Sequence, residues 1–140
     1  MKEMIASLEE IPDVVRTLEE MLPANAIVFL HGDLASGKTT LTQAVANAKG
    51  VVSEVTSPTF SLQQCYQTQE GSRLYHYDLY RLSHESFMQM GLFEEFEKPG
   101  WHFVEWGSSE LKSLLEAVGF TVCEVEISPY QEKRKYRISC

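Results

Sequence analysis

Gly32, Gly37, Lys38 and Thr39 stand at the spacing G-x-x-x-x-G-K-T inside HGDLASGKTT, the pattern of a phosphate-binding P-loop. Each part has a task. Backbone amides along Gly32, Asp33, Leu34, Ala35, Ser36 and Gly37, with the positive end of a following helix, suit a β-phosphate. Lys38 adds a mobile cation between β- and γ-phosphates, and the Thr39 hydroxyl is a natural magnesium ligand. A plain glycine turn with a solvated lysine is the competing reading. The apolar run before the loop and the helical pattern after it speak against that.

A magnesium nucleotide site also needs a carboxylate at the end of a neighbouring strand. Asp78 in LYHYDLY and Glu105 at the end of HFVE are the two candidates. HFVE is an unbroken apolar run, as in an interior parallel strand, and ligands gather at the carboxyl ends of such strands. Glu105 is therefore the preferred Walker B carboxylate, and Asp78 is an outer magnesium ligand or the residue that orients attacking water. Either acid alone could equally be a solvated strand end. His76 shares a strand face with Asp78, but a lone histidine is usually a hydrogen-bonded structural residue, so it is given no catalytic role. Trp106 is either core or a face for nucleotide or partner. Ser57-Pro58-Thr59-Phe60 lies where P-loop switches sense the γ-phosphate, although spacing alone favours a proline turn. No N-K-x-D tetrapeptide is present, which makes ATP the expected nucleotide.

The elements that must position these residues follow from the apolar periodicity. Leu8, Ile11, Val15, Leu18 and Leu22 predict an amphipathic helix over the first twenty or so residues, ending near Pro23. Its start is open between a Ser7/Glu10 capping box and a first turn at Pro12. AIVFL (26–30) predicts a strand buried on both faces, and LTQAVANAK a helix closed by Gly50. FSLQQCYQTQ and RLYHYDLYRL predict an antiparallel hairpin through Glu70-Gly71-Ser72. SHESFMQM should be a short helix capped by Ser83 and stopped at Gly91. WHFVEW predicts another strand, SSELKSLLEAVG a helix, and FTVCEVEI with KRKYRIS a second hairpin. The expected fold is a P-loop NTPase-type three-layer α/β domain with a mixed parallel/antiparallel sheet: parallel near the loop, hairpins at the edge.

At 140 residues, 44% hydrophobic and 23% charged, the chain suits one globular domain. No apolar run approaches a membrane span and no signal peptide opens the chain, so the cytoplasm is expected. Cys65, Cys123 and Cys140 are odd in number and widely spaced, which argues against a disulfide framework or zinc and for free thiols. A net charge of −8 disfavours non-specific adhesion to nucleic acid. The basic cluster Lys133, Arg134, Lys135 and Arg137 is at least as well explained by a charged edge strand as by a nucleic-acid patch.

With SPTF, YHYDLYRL and VEW downstream of GDLASGKTT, the sequence resembles the TsaE (YjeE) family over nearly its whole length. These are small bacterial P-loop ATPases required for threonylcarbamoyladenosine modification of tRNA. The resemblance implies that Lys38, Thr39 and Thr40 serve nucleotide and magnesium, and that Asp78 and Glu105 lie at the catalytic metal site. It also implies a functional Trp106 and a basic residue of the last hairpin, Lys133 or Arg134, near the nucleotide. Its implied cofactors are ATP and magnesium, and its implied partners are TsaD and TsaB, with tRNA reached indirectly through their complex. Bound ATP would order SPTF for docking, and hydrolysis would release it. The chain departs from the family pattern at Ala35 and Ser36, where a glycine and an alanine are usual, and at Gly107, where proline is usual. Two other functions compete: a small-molecule kinase, for which only Arg73 and Arg81 could serve a lid, and a nucleotide-dependent interaction module.

Overall fold

The computed structural model describes residues 1–33, 36–51, 62–80 and 82–140. Alternating side chains in the apolar runs give it three layers. In β2 (Ala26–His31), Val28 and Leu30 point to one side, against Val14, Val15 and Leu18 of α1 (Ile11–Met21) and Leu41 and Val45 of α2 (Lys38–Ala48). Ile27 and Phe29 point to the other side, against Leu111 and Leu115 of α4 (Ser109–Ala117), on the face that also takes Phe87 of α3 (His84–Gln89). The same period of two divides β4 (Arg73–Asp78), β5 (Trp101–Glu105) and β6 (Val122–Tyr130).

β1 (Lys2–Ala6), β3 (Gln63–Gln67) and β7 (Lys133–Ser139) complete a seven-stranded sheet in the order β1-β7-β6-β2-β5-β4-β3. β2 pairs parallel with both β5 and β6, and β4 pairs parallel with β5. The β3–β4, β6–β7 and β1–β7 pairs are antiparallel. Each predicted hairpin thus lends one strand to the parallel centre and carries the other outward. Among the described residues no helix is long and apolar enough to cross a membrane.

The expected helix at the N-terminus is corrected in its first part. Residues 2–6 are a strand, and the helix begins at Ile11 with Pro12 in its first turn. The open choice of start falls to the proline turn: Glu10 precedes the helix without a side-chain cap, and the bond from the Ser7 amide to the Glu10 carboxylate at 2.9 Å closes the turn ahead of it. β1 forms because β7 supplies its hydrogen-bond partners, which no local pattern in KEMIA reveals.

β1 also overturns the edge-strand reading of the basic cluster, since it covers β7. Nor are the cations bare: Lys133 pairs with Glu10 at 3.1 Å, and Lys135 and Arg137 pair with Glu3 at 3.9 and 3.5 Å. The free-thiol expectation holds only for Cys65. Cys123 and Cys140 form a disulfide, because the β6–β7 register that opposes Glu124 to Ser139 brings the next pair side by side.

Candidate functional site

β2 ends at His31 and the chain turns through Gly32 and Asp33, with the Ser36 amide donating to the Asp33 carbonyl at 3.0 Å. Gly37 then caps α2 at a φ of 108°, a left-handed conformation that glycine adopts readily, and the Arg134 guanidinium occupies the space a side chain would need there. α3 and α4 begin under serine caps, Ser83 and Ser108, whose hydroxyls accept from Ser86 and Leu111 amides. α2 has no side-chain cap, so the amides of its first turn and its positive end are left for an anion.

Lys38, the first residue of α2, is only 4% exposed. Its ammonium donates to the Gly32 carbonyl at 2.7 Å and lies 3.5 Å from the centre of the Trp106 ring. Burial holds the Lys38 pKa below its ordinary value, against the opposing pull of Glu105, Asp78 and Asp33. The lysine is therefore easier to strip of water than a surface lysine.

At the next residue, the Thr39 hydroxyl donates to Glu105 Oε2 at 3.0 Å. The same oxygen lies 2.5 Å from His76 Nε2, and His76 is wholly buried. Parallel register sets Asp78 directly beside Glu105 at the carboxyl ends of β4 and β5. Asp78 accepts the Tyr80 amide at 3.0 Å. Trp106 follows Glu105 at a φ of 61°, where a side chain other than glycine is strained, and its ring is 5.0 Å from that of Tyr80. Gly107 passes so close to Phe29 that a Cβ there would meet the ring at 2.6 Å, so a proline would require Phe29 to move.

Ser36, Gly37, Lys38, Thr39 and Thr40 on one side, Asp78, Glu105, Tyr80 and Trp106 on the other, and Arg134 from β7 enclose a cavity of about 340 Å³. The structure thus brings together the expected loop, carboxylates and hairpin arginine. Lys133, the alternative to Arg134, bonds Glu10 instead. Leu34, Ala35, the SPTF segment and Arg81 lie outside the described residues. Arg73 opens β4, roughly 17 Å of strand away from Asp78. Sequence reasoning missed the contact between His76 and Glu105. Its signal was the two-residue spacing to Asp78, which puts both on the face that Glu105 shares.

Hard oxygen donors at Thr39, Asp78 and Glu105 beside an anion-binding loop fit magnesium, which takes one or two carboxylates and keeps phosphate and water oxygens.

A parallel strand, a glycine loop and an uncapped helix, flanked by carboxylates at adjoining strand ends, define a protein of the P-loop NTPase-type α/β class. The comparisons with known proteins agree. The family model described as threonylcarbamoyl adenosine biosynthesis protein TsaE matches residues 5–137, and this chain belongs to the TsaE family. The tRNA threonylcarbamoyladenosine biosynthesis protein TsaE of Streptomyces coelicolor is 35% identical over 128 residues, covering 79% of this chain and 82% of that protein. The protein of the same name from Rickettsia felis is 39% identical over 109 residues, 76% of this chain but only 62% of the relative. The crystal structure of Bacillus subtilis YdiB superposes with a TM-score of 0.62 at 25% identity, over 96% of this chain and 83% of that one. The family's role is in tRNA threonylcarbamoyladenosine biosynthesis.

Proposed function

We propose that this chain is a magnesium-dependent ATPase of tRNA threonylcarbamoyladenosine synthesis, acting in the cytoplasm on the TsaD–TsaB pair and reaching tRNA only through that complex. The observation that carries the reading is the convergence of Lys38, Thr39, Asp78 and Glu105 on one cavity at the uncapped start of α2.

Bound magnesium would supply charge neutralisation at the β- and γ-phosphates. Lys38 exchanges its bond to the Gly32 carbonyl for phosphate oxygens, with its desolvation already met by the fold. Thr39, Glu105 and Asp78 would hold the metal, directly or through water, or Asp78 would instead orient the attacking water. Arg134, against Gly37, faces the charge that develops on the phosphates. A second cavity of about 240 Å³ adjoins the first through Thr40 and Arg134 and is lined by Ala6, Leu8, Ile11 and Tyr136. Glu132 and Lys133 also line it, so the wall beside the phosphate site is mixed, with apolar side chains for a base and polar ones for a sugar. Over a surface this acidic, any tRNA contact is local or indirect.

Phosphate release from ATP, measured for the chain alone and with purified TsaD and TsaB, tests this. Weak release alone, strongly stimulated by the partners and dependent on magnesium, is expected. A phosphorylated small molecule would show a kinase instead, a reading that the position of Arg73 does not favour. Unchanged release with the partners would overturn the coupling.

A further inference from the structure

We infer that His76 is a positioning residue for Glu105, holding the carboxylate in the one orientation that also accepts the Thr39 hydroxyl. The inference rests on the magnesium–nucleotide reading above and assigns a task to a residue outside it. His76 is wholly buried, and Glu105 Oε2 lies 2.5 Å from its Nε2 and 3.0 Å from Thr39 Oγ1. At such a separation Nε2 and Oε2 cannot oppose two lone pairs, so a proton lies between them.

The other ring nitrogen says which tautomer this is. Nδ1 is buried and has no hydrogen-bond partner among the described residues. A buried N–H without an acceptor is the more costly orphan, whereas a bare ring nitrogen leaves only an unused lone pair. The geometry therefore points to a proton on Nε2, donated to Glu105. The second bond extends the chain: Thr39 donates its hydroxyl proton to the same oxygen, so the position of Glu105 sets the direction of that O–H. His76 thus fixes Glu105, and Glu105 orients Thr39. Histidine support of a carboxylate beside a metal works in this way, with losses of roughly 10- to 100-fold in metal affinity when the support is removed.

The test has two parts. Nitrogen-15 NMR of the unaltered protein should show His76 protonated at Nε2 and bare at Nδ1; a proton on Nδ1 would overturn the assignment. Calorimetric ADP titrations with magnesium and with a chelator should then separate the roles. His76→Leu is expected to keep the affinity seen in chelator and to lose the magnesium enhancement by roughly tenfold or more, while His76→Gln, whose amide can donate, restores most of it. Undiminished enhancement in His76→Leu would overturn the inference. If that variant does not fold, a His76→Gln protein that melts like the original decides the matter: retained enhancement supports the inference and lost enhancement overturns it. Absence of ADP binding by the original protein would instead overturn the nucleotide reading, which keeps the two failures apart.

Discussion

Two histidine–glutamate pairs lie at nearly equal separation, 2.5 Å for His76–Glu105 and 2.6 Å for His31–Glu124, and they teach opposite lessons. The first is sealed: His76 and Glu105 side chains are 0% and 5% exposed, between α2 and the sheet. The second is on the α4 side and open to water, at 37% and 30% exposure, and Glu124 also takes the Lys112 ammonium at 2.6 Å. Both pairs stand near the loop, since His31 precedes Gly32 and Glu105 bonds Thr39. Burial separates them. Wholly buried His76 has no water to replace a lost partner, so its pair fixes geometry, whereas the open pair exchanges its partner for solvent at little cost.

The largest expected effect is on turnover. Under the proposed function, Glu105→Gln should lower magnesium-dependent ATP hydrolysis by roughly 100-fold or more, because the amide keeps the shape and removes the charge that would face the metal. Glu124→Gln should stay within about twofold of the original protein. Equal losses in a phosphate-release assay would erase the distinction between the pairs.

A stability comparison sharpens it next. Glu105→Ala leaves a buried imidazole N–H without an acceptor and should cost about 1–3 kcal/mol in urea unfolding. Glu124→Ala exposes its partners to water, and screening keeps its cost near 0.5 kcal/mol. A larger cost for the open pair would contradict the burial argument.

The smallest effect is in the pH dependence. The hydrogen bond from Lys112, ahead of the contribution of His31, holds the Glu124 carboxyl below its ordinary range, and the same contact raises the Lys112 pKa. A depressed carboxyl stabilises above its unfolded pKa, near 4.3 or about that, and the gain is lost as pH falls through the lower folded value. The raised lysine contributes fully below about pH 10 and loses its share as pH rises through its folded pKa. The melting temperature of Lys112→Met should therefore lie slightly below that of the original protein across the neutral range and converge with it in strong acid. A gap that persists there would assign the difference to packing.

Elements with local signals were legible in the sequence. The helix starts at Ser83 and Ser108, the turn at Gly71 and the buried strands 26–31 and 101–105 all stand where residue type and period predicted. The loop with Lys38 and Thr39 was legible for the same reason, since its chemistry is written in contiguous residues. β1 was not, because Lys2–Ala6 is a strand only when β7 lies beside it. The Cys123–Cys140 pairing was hidden likewise, depending on a register between strands that spacing along the chain does not express.

By itself the sequence determined the P-loop, its strand and helix, and the two acids that could serve it, since each depends on neighbours a few residues away. Tertiary structure alone decided that Asp78 stands beside Glu105, that Arg134 crosses from the far hairpin to Gly37, and that His76 grips the carboxylate. Those contacts span dozens of residues. They exist because parallel pairing aligns the ends of separate strands, a register that the global core fixes and no local pattern can.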